Sequence, residues 1–313
     1  MKGIRNAFWM GALAATVAWS AHAHADGAVI PSSRLSEATR SELRAWIAEA
    51  RLAHPESFER LTWVARHLPE LDATKRGRYP VVTPALRAQG RDGLLPMLEV
   101  IVFDAQPRGE LSNDTWTAWQ AALVESVGAL RDERSAPVLE AVLHDPQASP
   151  MVARAAAAAL AKLETDAVAK TLIAMSRTTG PRRQAALFGM GHCRRTAVAQ
   201  RLAEALGRTT EPEDIRLIAH ALGNVASAWA WKGRDLRHPK EEAAVREMAA
   251  QALVAKLPRV PHDVRPALIK AVLVVDHPST PAFIERAKSR ASAGDRVVLG
   301  ELRRRFDDSP LRK

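Results

Sequence analysis

The chain has 313 residues, of which 45 are Lys or Arg and 35 are Asp or Glu, so its formal net charge is +10. This positive charge favours acidic or anionic partners in general. The single cysteine, Cys193, excludes an internal disulfide, so the fold must be stabilised by packing.

Residues 1–25 have the pattern of a cleaved signal peptide. Lys2 and Arg5 precede a short apolar run, and residues 23–25 match an A-x-A cleavage site. The run is shorter than the about 20 residues that span a bilayer, and no later stretch is long and apolar enough for a membrane helix. We therefore predict a mature chain that begins near Asp26, is periplasmic or secreted, and has no nucleic acid as an expected partner.

The rest of the chain is predicted to be helical, because apolar residues recur at helical spacing and no β alternation appears. Thr39 and Glu42 have the spacing of a capping box in the first helix. Pro69 is expected to end the second helix. Asp166 is expected to cap the helix over residues 167–176. The predicted helices cover residues 34–54, 55–68, 84–89, 93–103, 113–130, 137–143, 151–163, 167–176, 182–193, 196–206, 212–228, 241–257, 265–275, 281–290 and 296–306.

One four-residue pattern returns four times between residues 113 and 225: apolar, tiny, any residue, apolar. Its tiny residues follow one another at steps of 33, 30 and 32, a period typical of stacked helical hairpins. Gly inside a helix costs about 1 kcal/mol relative to Ala. We therefore predict that the tiny positions are close contacts between helices. They are Gly128, Ala161, Gly191 and Gly223.

The block A-L-G-x-V at residues 221–225, followed by a second apolar helix, resembles the short HEAT-like repeat that also occurs in bilin lyases. The resemblance extends over about residues 80–290. It implies an all-α fold, an α-α superhelix or α-solenoid of stacked helical hairpins. Proteins of this class are used for protein binding and scaffolding, and a few are enzymes. The predicted segments are the signal peptide (1–25), an N-terminal helical cap or degenerate repeat (26–79), the solenoid (80–292) and a C-terminal capping helix and tail (293–313).

No catalytic constellation stands out in the sequence. Cys193 occupies a repeat position that is Leu or Val elsewhere, so it is predicted to be a buried apolar residue. The chain has no H-x-x-x-H pair and no His-Glu dipeptide after the signal peptide. The pairs His144-Asp145 and His262-Asp263 lie at helix boundaries, where Asp caps the next helix and His favours the previous C-terminus. We therefore predict no metal and no cofactor.

The charge is concentrated between Arg177 and Arg208, where seven arginines and one acid give +6. Arg194 and Arg195 follow a helix C-terminus, where the helix dipole favours cations. Two others begin a helix, where cations are disfavoured, and a local rule broken without structural gain indicates function. The predicted binding residues of this arginine window are Arg177, Arg182, Arg183, Arg201 and Arg208.

Trp229 and Trp231 lie where the repeat period breaks. Two residues apart on a helix, their side chains would point in nearly opposite directions. Either the helix has ended or one Trp is exposed. Insertions in repeat arrays map to the binding face, so both are predicted binding residues.

These features predict an exported, non-catalytic HEAT-repeat scaffold or adaptor that is not an enzyme. Its predicted partner is another protein, possibly acidic. One alternative is a helical-repeat enzyme or ligand-binding protein of the cell envelope, with a pocket between repeats. Another is an electrostatic binder of anionic lipid or cell-wall polymer through the arginine window.

Overall fold

The computed structural model describes residues 27–76, 79–104, 106–233 and 236–309. The predicted signal peptide lies outside these residues. Regular secondary structure in the described ranges is helical throughout. The α-helices are α1 Glu37–Ala53, α2 Pro55–Arg66, α3 Leu68–Thr74, α4 Thr83–Arg87, α5 Leu94–Val102, α6 Asn113–Leu130, α7 Ala136–His144, α8 Pro150–Ala161, α9 Asp166–Met175, α10 Pro181–Met190, α11 Thr196–Arg208, α12 Pro212–Val225, α13 Glu242–Lys256, α14 Arg265–Val275, α15 Thr280–Lys288 and α16 Ala293–Asp307.

Helix starts follow from Ser and Thr caps and from Pro. Ser112 caps α6, because its hydroxyl accepts from the Thr115 amide at 3.3 Å. Three predicted boundaries are wrong. The cap of α1 is Ser36 rather than the pair at 39 and 42, and the cap of α9 is Thr165 rather than Asp166. Pro69 lies in the first turn of α3, which begins at Leu68, instead of ending the helix before it, since the fixed φ of Pro suits the first helical turn.

The helices stack in two rows. In the first row, α4, α6, α8, α10, α12 and α14 each pack on the next member. In the second row, α9, α11, α13 and α15 do the same. Helices that are consecutive in sequence, such as α8 and α9 or α10 and α11, connect the two rows. The protein therefore has the predicted all-α, α-α superhelix fold.

The recurring glycines lie where members of the first row touch. A Cβ at Gly128 in α6 would overlap the backbone of Ala159 in α8. One at Gly191, just after α10, would lie 3.0 Å from the Cα of Ala221 in α12. One at Gly223 would lie 3.3 Å from the Cα of Ala271 in α14. The prediction of close helix contacts is confirmed at these glycines, and Ala161 is fully buried.

The N-terminal segment packs beside the end of α5. The amides of Gly27 and Ala28 donate to the carbonyls of Val102 and Val100, at 3.1 and 2.7 Å. The side chain of Gln120 on α6 donates to the Ala28 carbonyl at 2.6 Å. These bonds tie the segment to α5 and α6. No helix of the described residues is long and apolar enough to cross a membrane.

Candidate functional site

A pocket of about 700 Å³ lies between α2, α3, α5 and α6, with residues 106–111 along one side. We call it the N-terminal pocket. Its floor is apolar because α2 and α6 turn their buried stripes towards it, and Trp119 is almost fully buried there. The principal apolar lining residues are Phe58, Leu61, Leu68, Val100, Trp116 and Trp119.

The rim of the N-terminal pocket is charged. Arg51 contacts Glu99 in an ion pair, and its guanidinium lies 4.3 Å from the centre of the Phe58 ring. Arg66, Asp104 and Glu110 also line the pocket. Their side chains have no hydrogen-bond or ion-pair partner in the described part of the chain. These three groups are therefore free to meet the polar part of a ligand.

Asp72 holds one wall of the pocket in place by joining α3 to the start of α6. The ammonium of Lys75 lies 2.6 Å from Asp72 Oδ1, the Thr115 hydroxyl donates to the same oxygen at 2.6 Å, and the Ser112 amide donates to Oδ2 at 2.9 Å. The hydrogen bond from Lys75, with those from Thr115 and Ser112, holds the pKa of Asp72 well below its usual range. Lys75, directly after α3, is therefore a structural residue.

Sequence reasoning missed this pocket, because it treated residues 26–79 as a cap or degenerate repeat. The missed signal is the pair Trp116 and Trp119 at the start of α6. Two tryptophans three residues apart share one helix face. In a chain with eight tryptophans, that spacing indicates a large aromatic surface facing α2 and α3.

The structure gathers part of the predicted arginine set around Arg201 on α11. Burial lowers the pKa of Arg201, and the nearby charges of Arg177, Arg208 and Arg183 lower it further. The guanidinium of Arg201 also donates to the hydroxyl and carbonyl of Ser176, at 2.9 and 3.1 Å. It thereby satisfies a carbonyl at the end of α9.

Arg183 is brought to that group but is already paired, since its guanidinium lies 2.8 Å from Asp214 on α12. Arg182, at the start of α10, is half-buried and forms no ion pair in the described ranges. Arg177 and Arg208 are exposed. The predicted arginines therefore include one paired residue, one that caps a helix end and three without an ion-pair partner.

Two further arginines of the window form an ion-pair network in which the Arg194–Glu164 pair is buried and Asp166 is exposed. Arg194 pairs with Glu164 at 2.6 Å and donates to the Ala230 carbonyl at 2.6 Å. Arg195 lies 2.7 Å from Asp166 and 2.9 Å from Glu241. These bonds fasten the insertion at residues 226–241 to the turn between α8 and α9.

The two predicted tryptophans differ in role. Helix α12 ends at Val225, before either of them. Trp231 is 4% exposed, and its indole nitrogen donates to the Val225 carbonyl at 2.9 Å. Trp229 is 65% exposed, with the Lys232 ammonium 4.6 Å from its ring centre. Trp231 therefore packs the insertion, and only Trp229 presents a large aromatic surface to solvent.

Both His-Asp pairs have structural partners. His144 bonds the Glu140 carbonyl at 2.8 Å, and Asp145 pairs with Arg34 at 3.1 Å. Asp263 contacts Arg216 on α12 in an ion pair. Across the residues that the structure describes, no three His, Cys, Asp or Glu side chains are grouped closely enough to hold a metal ion.

Cys193 is fully buried, as predicted, and burial, with the nearby Glu164 charge, raises its pKa to about 12. We expect no reaction with a disulfide reagent at pH 8 in the folded protein, because the buried thiol stays protonated and is out of reach of the reagent. On unfolding, one thiol per chain should be labelled. Thiol titration with and without denaturant measures this.

The control for the thiol titration is Ala174→Cys, which places a second thiol at an exposed position of α9. This variant should gain one rapidly labelled thiol under native conditions. Fast labelling of the unaltered protein would contradict the burial of Cys193.

No family model matches this sequence, and no curated protein matches it. Among solved structures, human deoxyhypusine hydroxylase in complex with glycerol is similar over 82% of this chain and 99% of that chain. The sequence identity is 15% and the TM-score is 0.29.

That match corrects the prediction of a non-catalytic scaffold or adaptor that is not an enzyme. The matched protein is itself an enzyme. At this TM-score the likeness carries no reaction over to this chain. The pocket and the surface chemistry, and not the fold class, therefore indicate what this protein does.

Proposed function

We propose that this protein binds a small amphipathic ligand in the N-terminal pocket. The observation that carries the proposal is an apolar, aromatic floor beneath about 700 Å³ of open space. Small-molecule sites are typically clefts of about 300–1,000 Å³ with apolar walls and a few polar groups. The space between α2, α3, α5 and α6 has this size and this distribution of residue types.

The charges around the pocket point to a neutral or zwitterionic ligand. Three arginines and four acids line it, and one of those acids, Asp72, is neutralised by Lys75. The other three acids equal the three arginines in number, so the remaining charges of the lining sum to zero. Apolar surface would bind the body of the ligand against Phe58 and Trp116, since burial of apolar surface supplies most of the binding free energy. A polar group at one end would meet Arg66, Asp104 or Glu110.

The proposal concerns binding, and it is compatible with a reaction on the bound molecule. Proton transfer would fall to Asp104 or Glu110, the two lining carboxylates without a partner in the described part of the chain. Glu99 and Asp72 are less suited to this role because their carboxylates form ion pairs with Arg51 and Lys75, respectively.

The pocket can be tested with the neutral fluorescent probe N-phenyl-1-naphthylamine. We expect saturable binding with a dissociation constant of roughly 1–100 µM, from typical binding free energies per ligand atom. Ala73→Trp should weaken binding at least about tenfold, because Ala73 lines the pocket from the exposed side of α3. Fluorescence titration measures both constants.

The matched control is Ala197→Trp, which changes another exposed helical alanine, on α11 and outside the pocket. It should bind the probe as the unaltered protein does. Equal binding by both variants, or no saturable binding by the unaltered protein, would show that the pocket is not a ligand site.

The cellular setting and partners are also proposals. Export is supported by the basic start, apolar run and A-x-A site of residues 1–25. The HEAT-like character of the stacked helices is supported by the recurring A-L-G-x-V type of block. An acidic partner is supported by the grouping of Arg177, Arg201 and Arg208, because clustered positive charge attracts anions and speeds association.

A further inference from the structure

The variable position of the repeat pattern brings side chains from α8, α10 and α12 close together in the first row. The third residue of the pattern is Ala129 in α6, Lys162 after α8, His192 after α10 and Asn224 within α12. Lys162, directly after α8, and His220, on α12, both lie close enough to His192 for their charges to lower its pKa. Equivalent residues of successive repeats therefore lie side by side. With their neighbours they make up what we call the cationic–aromatic strip: Arg87, Lys162, Phe188, His192, His220 and Lys270.

The middle of the strip is aromatic. The Phe188 ring centre lies 5.8 Å from that of His192 on the same helix end and 6.1 Å from that of His220 on α12. Asn224 lies within hydrogen-bond distance of His220, at 3.1 Å. Burial, with the charges of Lys162 and His220, lowers the pKa of His192 to about 4, so this ring is neutral at pH 7. The middle of the strip is therefore aromatic and uncharged at the His192 position.

The ends of the strip are cationic. At one end Lys162 is half-buried, and no hydrogen bond or ion pair within the described ranges satisfies its ammonium. Burial lowers the pKa of Lys162, and the nearby Arg87 lowers it further, against the opposing effect of Glu125. At the other end Lys270 on α14 is exposed. Burial lowers the pKa of His220, and the nearby charge of Lys270 lowers it further.

A bound carboxylate would relieve both costs at Lys162, which are lost hydration and repulsion between like charges. Neighbouring helices pack about 8–10 Å apart, so the distance from α8 to α14, three helix spacings, is about 24–30 Å. A small molecule cannot join two cationic ends at that separation. An extended peptide of about nine residues can, at about 3.3 Å per residue.

We propose that the cationic–aromatic strip docks an extended acidic peptide segment, with carboxylates on Lys162 and Lys270 and an apolar side chain on Phe188. The segment belongs to an acidic partner protein. The proposal goes beyond the N-terminal pocket and uses other helices, since the strip lies on α4, α8, α10, α12 and α14.

The test is fluorescence anisotropy with a fluorescein-labelled nonapeptide that carries two glutamates at each end and leucine and phenylalanine between them. We expect Lys162→Gln and Lys270→Gln each to weaken binding about threefold to tenfold, because each removes one attractive charge. The control Lys170→Gln, an exposed lysine on α9 in the second row, should stay within about twofold of the unaltered protein. Added salt should weaken binding.

Several outcomes would overturn the proposal. These are no binding of the acidic peptide at 1 mM, equal binding of a peptide with lysine ends, or unchanged binding in the Lys162→Gln, Lys270→Gln double variant. Lys270 is exposed, so its variant tests the strip even if Lys162→Gln fails to fold. Binding of phosphatidylglycerol vesicles but not of the peptide would assign the strip to a lipid surface instead. Ala73→Trp should bind the peptide normally, which separates this result from the fate of the pocket.

Discussion

Replacing Arg194 by methionine is expected to lower the free energy of unfolding by about 3–5 kcal/mol. Its partner Glu164 is 1% exposed, and the two groups lie 2.6 Å apart. The variant would leave a buried carboxylate without its cation, and would also free the Ala230 carbonyl from the guanidinium. Chemical denaturation followed by circular dichroism measures the loss.

Two further variants isolate the cause. Arg194→Met combined with Glu164→Gln should recover part of the loss, because the second change removes the buried charge. Arg216→Met removes a partly exposed arginine that pairs with Asp263, and it should cost at most about 1 kcal/mol. If Arg194→Met lowered the free energy of unfolding by less than about 1 kcal/mol, water or a rearranged side chain would have to satisfy Glu164.

Gly128→Ala is expected to lower the free energy of unfolding by about 1–3 kcal/mol, although Ala is the better helix former. A Cβ at this position would overlap the backbone of Ala159, so α6 and α8 must move apart. Separation would also disturb the apolar surface buried between them. Thermal and chemical unfolding both measure the change.

Gly300→Ala is the matched control for Gly128→Ala. Gly300 also lies inside a helix, α16, but a Cβ there would meet no atom within 4 Å. This variant should raise stability by about 0.5–1 kcal/mol, because Ala loses less backbone entropy on folding. Opposite signs for the two substitutions would show that the recurring tiny residue is required by helix contact. Stabilisation by both would refute the contact.

The two proposed binding surfaces make different demands on a ligand. The N-terminal pocket has balanced charges and an apolar floor, so it favours a compact amphipathic molecule. The cationic–aromatic strip has separated positive ends, so it favours an extended anion. High salt should therefore weaken peptide binding to the strip while leaving probe binding to the pocket nearly unchanged.

Local patterns in the sequence were enough to predict the helical class, most of the helices and the close contacts at the recurring tiny residue. These features depend on local spacing, since positions i, i+3, i+4 and i+7 share one face whatever the helix packs against. The burial of Cys193 followed in the same way, from its equivalence to apolar positions in other repeats. One helix was missed, because Pro69 was interpreted as a stop although Pro also suits a first helical turn.

The partners of the arginines and the position of the pocket became visible only in the packed structure. Within the window of residues 177–208 the sequence shows a single acid, yet Arg183, Arg194 and Arg195 are paired with acids outside it. Arg194 reaches Glu164 across 30 residues, and Arg195 reaches Glu241 across 46. The pocket likewise combines α2 and α3 with α6. Such partners depend on how successive helices stack, and local periodicity carries no information about side chains that meet one or two repeats away.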